Sequence, residues 1–472
     1  MFRIFAIVAF LLILPRAGLG AGSDKEVNRQ FDQFLKPVAG YIYKYYFEKI
    51  SADSLMHAGL DGLFRYLDPA SDYTLGSQGK RPFDTFRKIS ASVYENSLYP
   101  VNADTLIRFG IAGMIDILDP HSVFMEKRNL DNFNIRTRGH YGGLGFRIQV
   151  VYPDSAIAVW SLLHDQTPAA KAGVKSGDLI VAIEDSSTKH MSAADGADLM
   201  RGKPGTPVTL TLRRAGLEDP IEITIVREEV QMHSVPHHEL FPDSTGYIKL
   251  ARFQPTASEE VRQAIEDLQA KGMKRLIFDL QNNGGGYLPQ AVAVADLFLE
   301  PNKLVVFHAG RASKDTTRLY TEHPALLKDE PLVVIVNRGS ASASEIVAGA
   351  IQDWDRGLVL GTPTVGKGSV QQIIRIGDSA ELKLTTSAYF TPSGRSIDKR
   401  MRKDSTLVGN GNTHFKTRLL KRIVRSGGGI TPDVFIESRR STPIYGQLEG
   451  QMDGVHNLNN QFFYFAREFV AD

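Results

Sequence analysis

The chain has 472 residues, with 55 Lys and Arg against 53 Asp and Glu for a net charge of +2, and is 42% hydrophobic and 23% charged. That length fits about three domains, and the balance excludes wholesale disorder and a strongly basic nucleic-acid-binding polymer, so nucleic acid is not an expected partner. The absence of cysteine removes thiol catalysis, disulfide scaffolding, Cys-ligated zinc and lipobox lipidation, and leaves the compartment to be read from other residues.

Residues 1–20 carry Arg3, an apolar run from Ile4 to Leu14, Pro15 and the greater part of a small-residue stretch, Ala17 to Ala21, that runs one residue past them. They read as a secretory leader, since the run is shorter than the ~20 residues a membrane-spanning helix needs. The expectation is an extracytoplasmic, periplasmic or secreted protein, tethered to the membrane only if the leader is retained. Residues 21–128 have helical apolar spacing, and one pattern occurs twice at an offset of 51. Leu55, Gly59, Gly62, Leu67, Asp68, Pro69 and Ser71 match Leu106, Gly110, Gly113, Leu118, Asp119, Pro120 and Ser122. This predicts two similar helices, packed closely at their glycines and stopping before each proline.

Residues 129–228 predict a small mixed domain with strands over Gly145 to Val151, Leu179 to Ile183, Val208 to Leu212 and Ile221 to Val226. Over 229–440, strand-like and helical segments alternate as in an α/β layer fold. Gly246 to Phe253 is strand-like; a helix starts at Thr256, with an expected capping box to Glu259, and stops at Gly272. Leu276 to Leu280 and Leu332 to Val336 read as buried strands flanking a helix around Leu288 to Leu299. Residues 441–472 form an aromatic-rich tail.

Three strand ends carry candidate chemistry. After Val336 comes Asn337-Arg-Gly-Ser-Ala-Ser-Ala-Ser-Glu-Ile346, where Ser340, Ser342 or Ser344 would lie at a helix start whose unpaired N–H groups can hold an oxyanion or accept a cap. Gly361-Thr-Pro-Thr-Val-Gly-Lys-Gly-Ser369 departs from a phosphate-binding loop, because Gly368 replaces the needed hydroxyl and a strand pattern follows. Alternation would place Lys367, Ser369 and Gln371 on one face. Lys367, if desolvated, would offer a neutral amine as general base; the alternative is a surface lysine in a turn. Asp279-Leu-Gln-Asn-Asn-Gly-Gly-Gly286 would expose backbone N–H groups or form a tight turn. All three loops would converge on one edge of the sheet. His121, His140, His237 and His238 have no partner by spacing and read as structural, as does Asp353 on the helix after Ser342.

In these blocks the chain resembles the carboxy-terminal processing proteases from about Leu106 to about Val434, with Thr-Pro-Ser-Gly-Arg-Ser-Ile397 as a further matching segment. The resemblance implies an α+β multidomain protein: an N-terminal helical region, a PDZ domain and a crotonase-like α/β serine protease domain. It implies Ser342 as nucleophile, Lys367 as general base, Gln371 as the residue holding the lysine, and Gly285 and Ala343 as oxyanion donors, with no metal or other cofactor. It further implies that Gly143, Leu144, Gly145 and Phe146 form a carboxylate-binding loop, and that Arg201 couples the PDZ domain to the protease. The implied partners are unfolded or partly folded polypeptides with apolar free C-termini, together with a second copy of the chain or an adaptor protein. A non-catalytic peptide-binding scaffold and a small-acyl esterase or amidase are the rival readings. Three departures from the family stand out: Gln281 where arginine is usual, Gly284 where proline is common, and about thirty residues between Ile397 and Gly429 in place of a short link.

Overall fold

A computed structural model describes residues 23–67, 82–96, 101–126, 135, 139–152, 155–311, 316–377, 380–399, 414–436, 463–467 and 469. The leader, the Asp68 to Ser71 end of the first repeat, residues 400–413 of the insertion and residues 437–462 lie outside them.

The N-terminal region is helical: α1 Ser23–Gln30 continues through a π turn at Phe31–Leu35 into α2 Lys36–Tyr45, followed by α3 Ala52–Leu67, α4 Pro82–Asn96 and α5 Ala103–Asp116. Leu35, Ile42, Leu55, Leu63, Phe86 and Leu106 bury its core. The repeated helices are α3 and α5, and their glycines meet. A Cβ on Gly62 would lie 2.4 Å from the Phe109 carbonyl oxygen, and one on Gly113 would lie 2.1 Å from that of Ala58, so only glycine permits this crossing. The region does not remain helical to residue 128. Its end forms strand β1 Val123–Glu126, which pairs antiparallel with residues 380–383 far along the chain.

The middle region contains β2 His140–Gly143, β3 Phe146–Val151, β4 Ala156–Leu162, α6 Pro168–Lys171, β5 Leu179–Ile183, β6 Ser186–Ser187, α7 Ala193–Met200, β7 Pro207–Arg213, β8 Ile221–Val226 and β9 Glu228–Gln231. Its main sheet runs β3-β4-β5-β7-β8, with β6 on β5, while β2 pairs with β9. Among the described residues, strand β3 therefore has an unpaired edge beside α7.

The third region adds β10 His237–Leu240, β11 Thr245–Lys249, α8 Ala257–Ala270, β12 Arg275–Asp279, α9 Leu288–Asp296, β13 Leu304–Ala309, β14 Thr317–Tyr320, β15 Leu332–Val336, α10 Ala343–Asp353, β16 Leu358–Gly361, β17 Ser369–Ile376 and β18 Ala380–Phe390; β19 His414–Lys416, β20 Ile423–Arg425 and β21 Val434–Phe435 follow. One sheet runs β10-β11-β12-β15-β16-β21, parallel from β11 onward. Val261, Ile265 and Leu268 of α8 bury the periodic face read from the sequence. The expected capping box there is not formed. Thr256 at φ −96° and ψ 1° is not extended enough to cap the helix, and its hydroxyl donates to Glu260 at 2.6 Å. A second sheet runs β1-β18-β13-β14 with β17 along β18.

Candidate active site

Parallel neighbours β12, β15 and β16 end on one edge of the first sheet, so the glycine turn, the serine turn and the lysine loop are adjacent because of strand order. Ser342 is the N-cap of α10 and has φ 56° and ψ −114°, a conformation that a non-glycine residue keeps only when its surroundings enforce it. Two neighbours enforce it. Asn283, fully buried, donates from Nδ2 to the Leu250 carbonyl at 2.8 Å and accepts at its own carbonyl from the Ala341 N–H at 3.0 Å and the Ser344 hydroxyl at 2.8 Å. Gly285, at φ +93°, lies so close that a Cβ there would be 2.8 Å from that of Ser342. The remaining candidate, Ser340, donates to the Leu280 carbonyl at 2.8 Å. Ser340 and Ser344 thus brace the turn, which leaves Ser342 as the candidate nucleophile.

Sequence reading did not single out the residue that joins the serine to the lysine loop. The buried Glu345 carboxylate accepts the Ser342 N–H at 2.8 Å, the Thr364 hydroxyl at 2.5 Å, the Gly366 N–H at 2.7 Å and the Lys367 N–H at 3.0 Å. Burial pushes its carboxyl above the usual range, while these donors pull it down. Buried Tyr389 adds a second tie, its hydroxyl reaching the Lys367 carbonyl and, at 3.2 Å, the Ser342 carbonyl. The signal for Glu345 was its place three residues after Ser342, as in a capping box; its reach to residue 367 is tertiary.

Burial, with the nearby Lys383 ammonium, lowers the Lys367 pKa to about 8, against the pull of Glu345 and Asp119. Among the described residues no hydrogen bond joins the Lys367 amine to the Ser342 hydroxyl; the fold fixes their backbones. The expected contact of Gln371 with Lys367 is not made. A bulge in the β17–β18 ladder follows Val370, and the Gln371 amide donates to Ser369 Oγ at 2.8 Å and Thr385 Oγ1 at 3.3 Å. Of the two expected oxyanion donors, the Ala343 N–H begins α10 and has no acceptor among the described residues. The Gly285 N–H is committed to Asn283 Oδ1 at 2.9 Å, because the turn brings that side chain back onto it.

The departure at Gln281 has a structural counterpart: Lys249 donates to Asp279 at 2.9 Å and to the Gln281 carbonyl at 2.7 Å, bringing a cation to this turn from β11. Asp353 packs against buried Arg395 at 2.9 Å. His238 and His140 pair with Asp267 and Glu229 at the surface, 3.1 and 3.5 Å away.

In the middle region, Gly143, Leu144, Gly145 and Phe146 line one end of a cavity of about 710 Å³ between β3 and α7, with Ile148, Ala197 and Met200 supplying apolar walls. Arg201 faces the same cavity, its guanidinium 5.8 Å from the Tyr141 ring and 3.6 Å from Asp198. Ala251, Arg252 and Gln254, which follow β11, close the other side, so one cavity touches both regions. A free strand edge beside a glycine-rich loop fits an extended peptide end.

A peptidase family S41 model matches residues 244–407 and a PDZ domain model matches residues 161–214. The chain is 38% identical over 336 residues to the carboxy-terminal-processing protease of Bartonella bacilliformis, covering 70% of each. It is 32% identical over 326 residues to the carboxy-terminal processing protease CtpA of Bacillus subtilis, covering 69% of this chain and 68% of that one. Among solved structures it is similar to the photosystem II D1 C-terminal processing protease, with a TM-score of 0.44 and 23% identity over 89% of this chain and 94% of that one.

Proposed function

The chain belongs to the carboxy-terminal processing proteases of peptidase family S41, and from that premise we propose an extracytoplasmic endopeptidase in which Ser342 and Lys367 form the dyad and the PDZ domain holds the free C-terminal tail of a polypeptide substrate. The observation that carries this reading is the Glu345 carboxylate, which joins the Ser342 N–H to the Lys367 N–H across two strand-end loops. A serine in an enforced conformation and a lysine of lowered pKa are thereby held as one unit.

The neutral Lys367 amine takes the Ser342 hydroxyl proton as Oγ bonds to the substrate carbonyl carbon. The oxyanion forms at the Ala343 N–H, joined by that of Gly285 once Asn283 yields it. The C–N bond then breaks as the lysine ammonium gives its proton to the leaving amine. Water, deprotonated by the same lysine, attacks the acyl carbon, the bond from that carbon to Ser342 Oγ breaks, and the lysine returns the proton to Oγ, freeing the new carboxyl terminus. The hydroxyl–amine contact closes with substrate in place, as such contacts commonly do. The Gly143 to Phe146 loop takes the tail's carboxylate, β3 pairs with its backbone, and Arg201 carries occupancy of the groove toward the protease. Location outside the cytoplasm rests on the leader pattern of residues 1–20.

The test is cleavage of an unfolded reporter with an apolar free C-terminus by wild type, Ser342→Ala and Lys367→Ala, each checked for a native circular-dichroism spectrum. Loss of cleavage in both folded variants is expected. Unchanged cleavage by Ser342→Ala refutes the assignment, and tail binding without wild-type turnover favours the scaffold.

A further inference from the structure

We propose that Asp119, just beyond the last helix of the N-terminal region, is a positioning residue of the Ser342/Lys367 centre, acting through Thr385 on the side chain of Gln371. The inference rests on the dyad reading above.

The Asp119 carboxylate is buried where that region meets β18. Its Oδ1 accepts from the Thr385 hydroxyl at 2.9 Å and the His121 N–H at 3.0 Å, and its Oδ2 accepts from the Ser122 hydroxyl at 2.6 Å. Tyr46 accepts the Asp119 N–H at 3.0 Å, and Ser122 Oγ accepts the Thr385 N–H at 3.1 Å. These bonds fix the direction of the Thr385 hydroxyl. A carboxylate only accepts here, so the threonine proton goes to Asp119 and its oxygen is left to accept.

Gln371 meets that oxygen with its amide nitrogen at 3.3 Å and spends its other proton on Ser369 at 2.8 Å. Both N–H groups are then committed, so the carbonyl oxygen, which makes no bond to Lys367 in this structure, is what the side chain has left to offer the lysine amine when bound substrate draws the two together. A carbonyl that accepts a lysine N–H turns the nitrogen lone pair elsewhere, as a general base attacking a serine proton requires. Without Asp119 the Thr385 proton could point at Gln371 instead, reversing the amide and presenting N–H groups to the lysine.

Asp119 also supplies charge. The groups that act on Lys367 are Lys383 from β18, Glu345 from α10 and Asp119 from the N-terminal region. Asp119 is the carboxylate that favours the ammonium form of both lysines. The N-terminal helices therefore form part of the centre's support as well as packing against it.

The experiment uses the full chain as wild type, Thr385→Val, Thr385→Ser and Asp119→Asn, with kcat and KM measured on a tail-bearing reporter from about pH 6 to about pH 10, alongside circular dichroism and thermal unfolding. Thr385→Val is expected to lower kcat about tenfold or more with KM within about twofold, and Thr385→Ser, which keeps the hydroxyl, to restore it. Asp119→Asn is expected to lower kcat similarly and to move the acidic limb to lower pH, because the lost carboxylate favoured the ammonium. Thr385→Val leaves that limb in place. Unchanged kcat in folded Thr385→Val and Asp119→Asn, with only the melting temperature lowered, overturns the proposal. A lack of Ser342-dependent turnover in wild type overturns the dyad reading itself, and is seen before any Asp119 variant is compared.

Discussion

Replacing Lys367 with methionine should abolish turnover and stabilise the protease region at neutral pH. The lysine pKa falls from 10.5 to about 8 through burial and the Lys383 charge, and a shift of that size corresponds to about 3 kcal/mol of unfavourable ionisation in the folded state. Below pH 8 both folded and unfolded chains carry the proton, so the whole cost is present. Between about pH 8 and 10.5 the folded chain has released the proton while the unfolded chain keeps it, so wild-type stability rises with pH and the cost has vanished above the upper limit. Lys367→Met should therefore raise the melting temperature of the protease transition by several degrees at pH 7, at about 2–4 °C per kcal/mol, with the difference closing near pH 10.5. Calorimetry at both pH values checks this, and wild-type kcat/KM should rise about tenfold per pH unit up to about pH 8 and then level. A variant no more stable than wild type at pH 7, or an acidic limb near pH 10, would refute the reasoning.

Glu345→Gln places an N–H among four donors; it should cost about 3 kcal/mol in chemical denaturation and lower kcat more than it raises KM. Gly62→Ala pushes a Cβ into the Phe109 carbonyl and the Gly113 backbone, so a loss of about 2 kcal/mol or more is expected from thermal unfolding, with a native protease site remaining in whatever fraction stays folded. Gly285→Ala meets both a positive φ and the Ser342 Cβ; kcat should drop at least about a hundredfold in a folded variant, as for loss of an oxyanion donor. Reporters with a free C-terminus should be cleaved faster than their amidated forms, and mutation of Gly143 to Phe146 should abolish that preference in a competition assay.

The parts legible in sequence were those with a local cause. Helix crossing at Gly62 and Gly113 followed from glycine spacing, and convergence of the glycine and serine loops followed from the apolar runs Leu276 to Leu280 and Leu332 to Val336, whereas the strand Leu358–Gly361 that delivers the lysine loop was not read from the sequence. Glu345 was less legible because position alone marks a cap, and only the return of the chain at residue 366 gives its carboxylate further donors. Asp119 and Thr385 meet across 266 residues, a distance no periodicity spans. The Thr256 box failed because a sequence pattern does not fix ψ, and Gln371 missed Lys367 because the ladder has a bulge after Val370.

The pairing of β1 with β18 also sets an order of events during synthesis. The N-terminal helices can begin to collapse on one another early, but their core is completed by Ile376, Ala380, Leu382 and Leu384 of β17 and β18, and Val123 pairs with Lys383, about 260 residues later. At roughly 5–20 residues per second, this edge waits on the order of 10 to 50 s for its partner. Meanwhile its backbone groups are open to wrong strands, including those of another nascent copy. The final closure is therefore a late, long-range step, and the active centre next to it is completed only after β18 has been made.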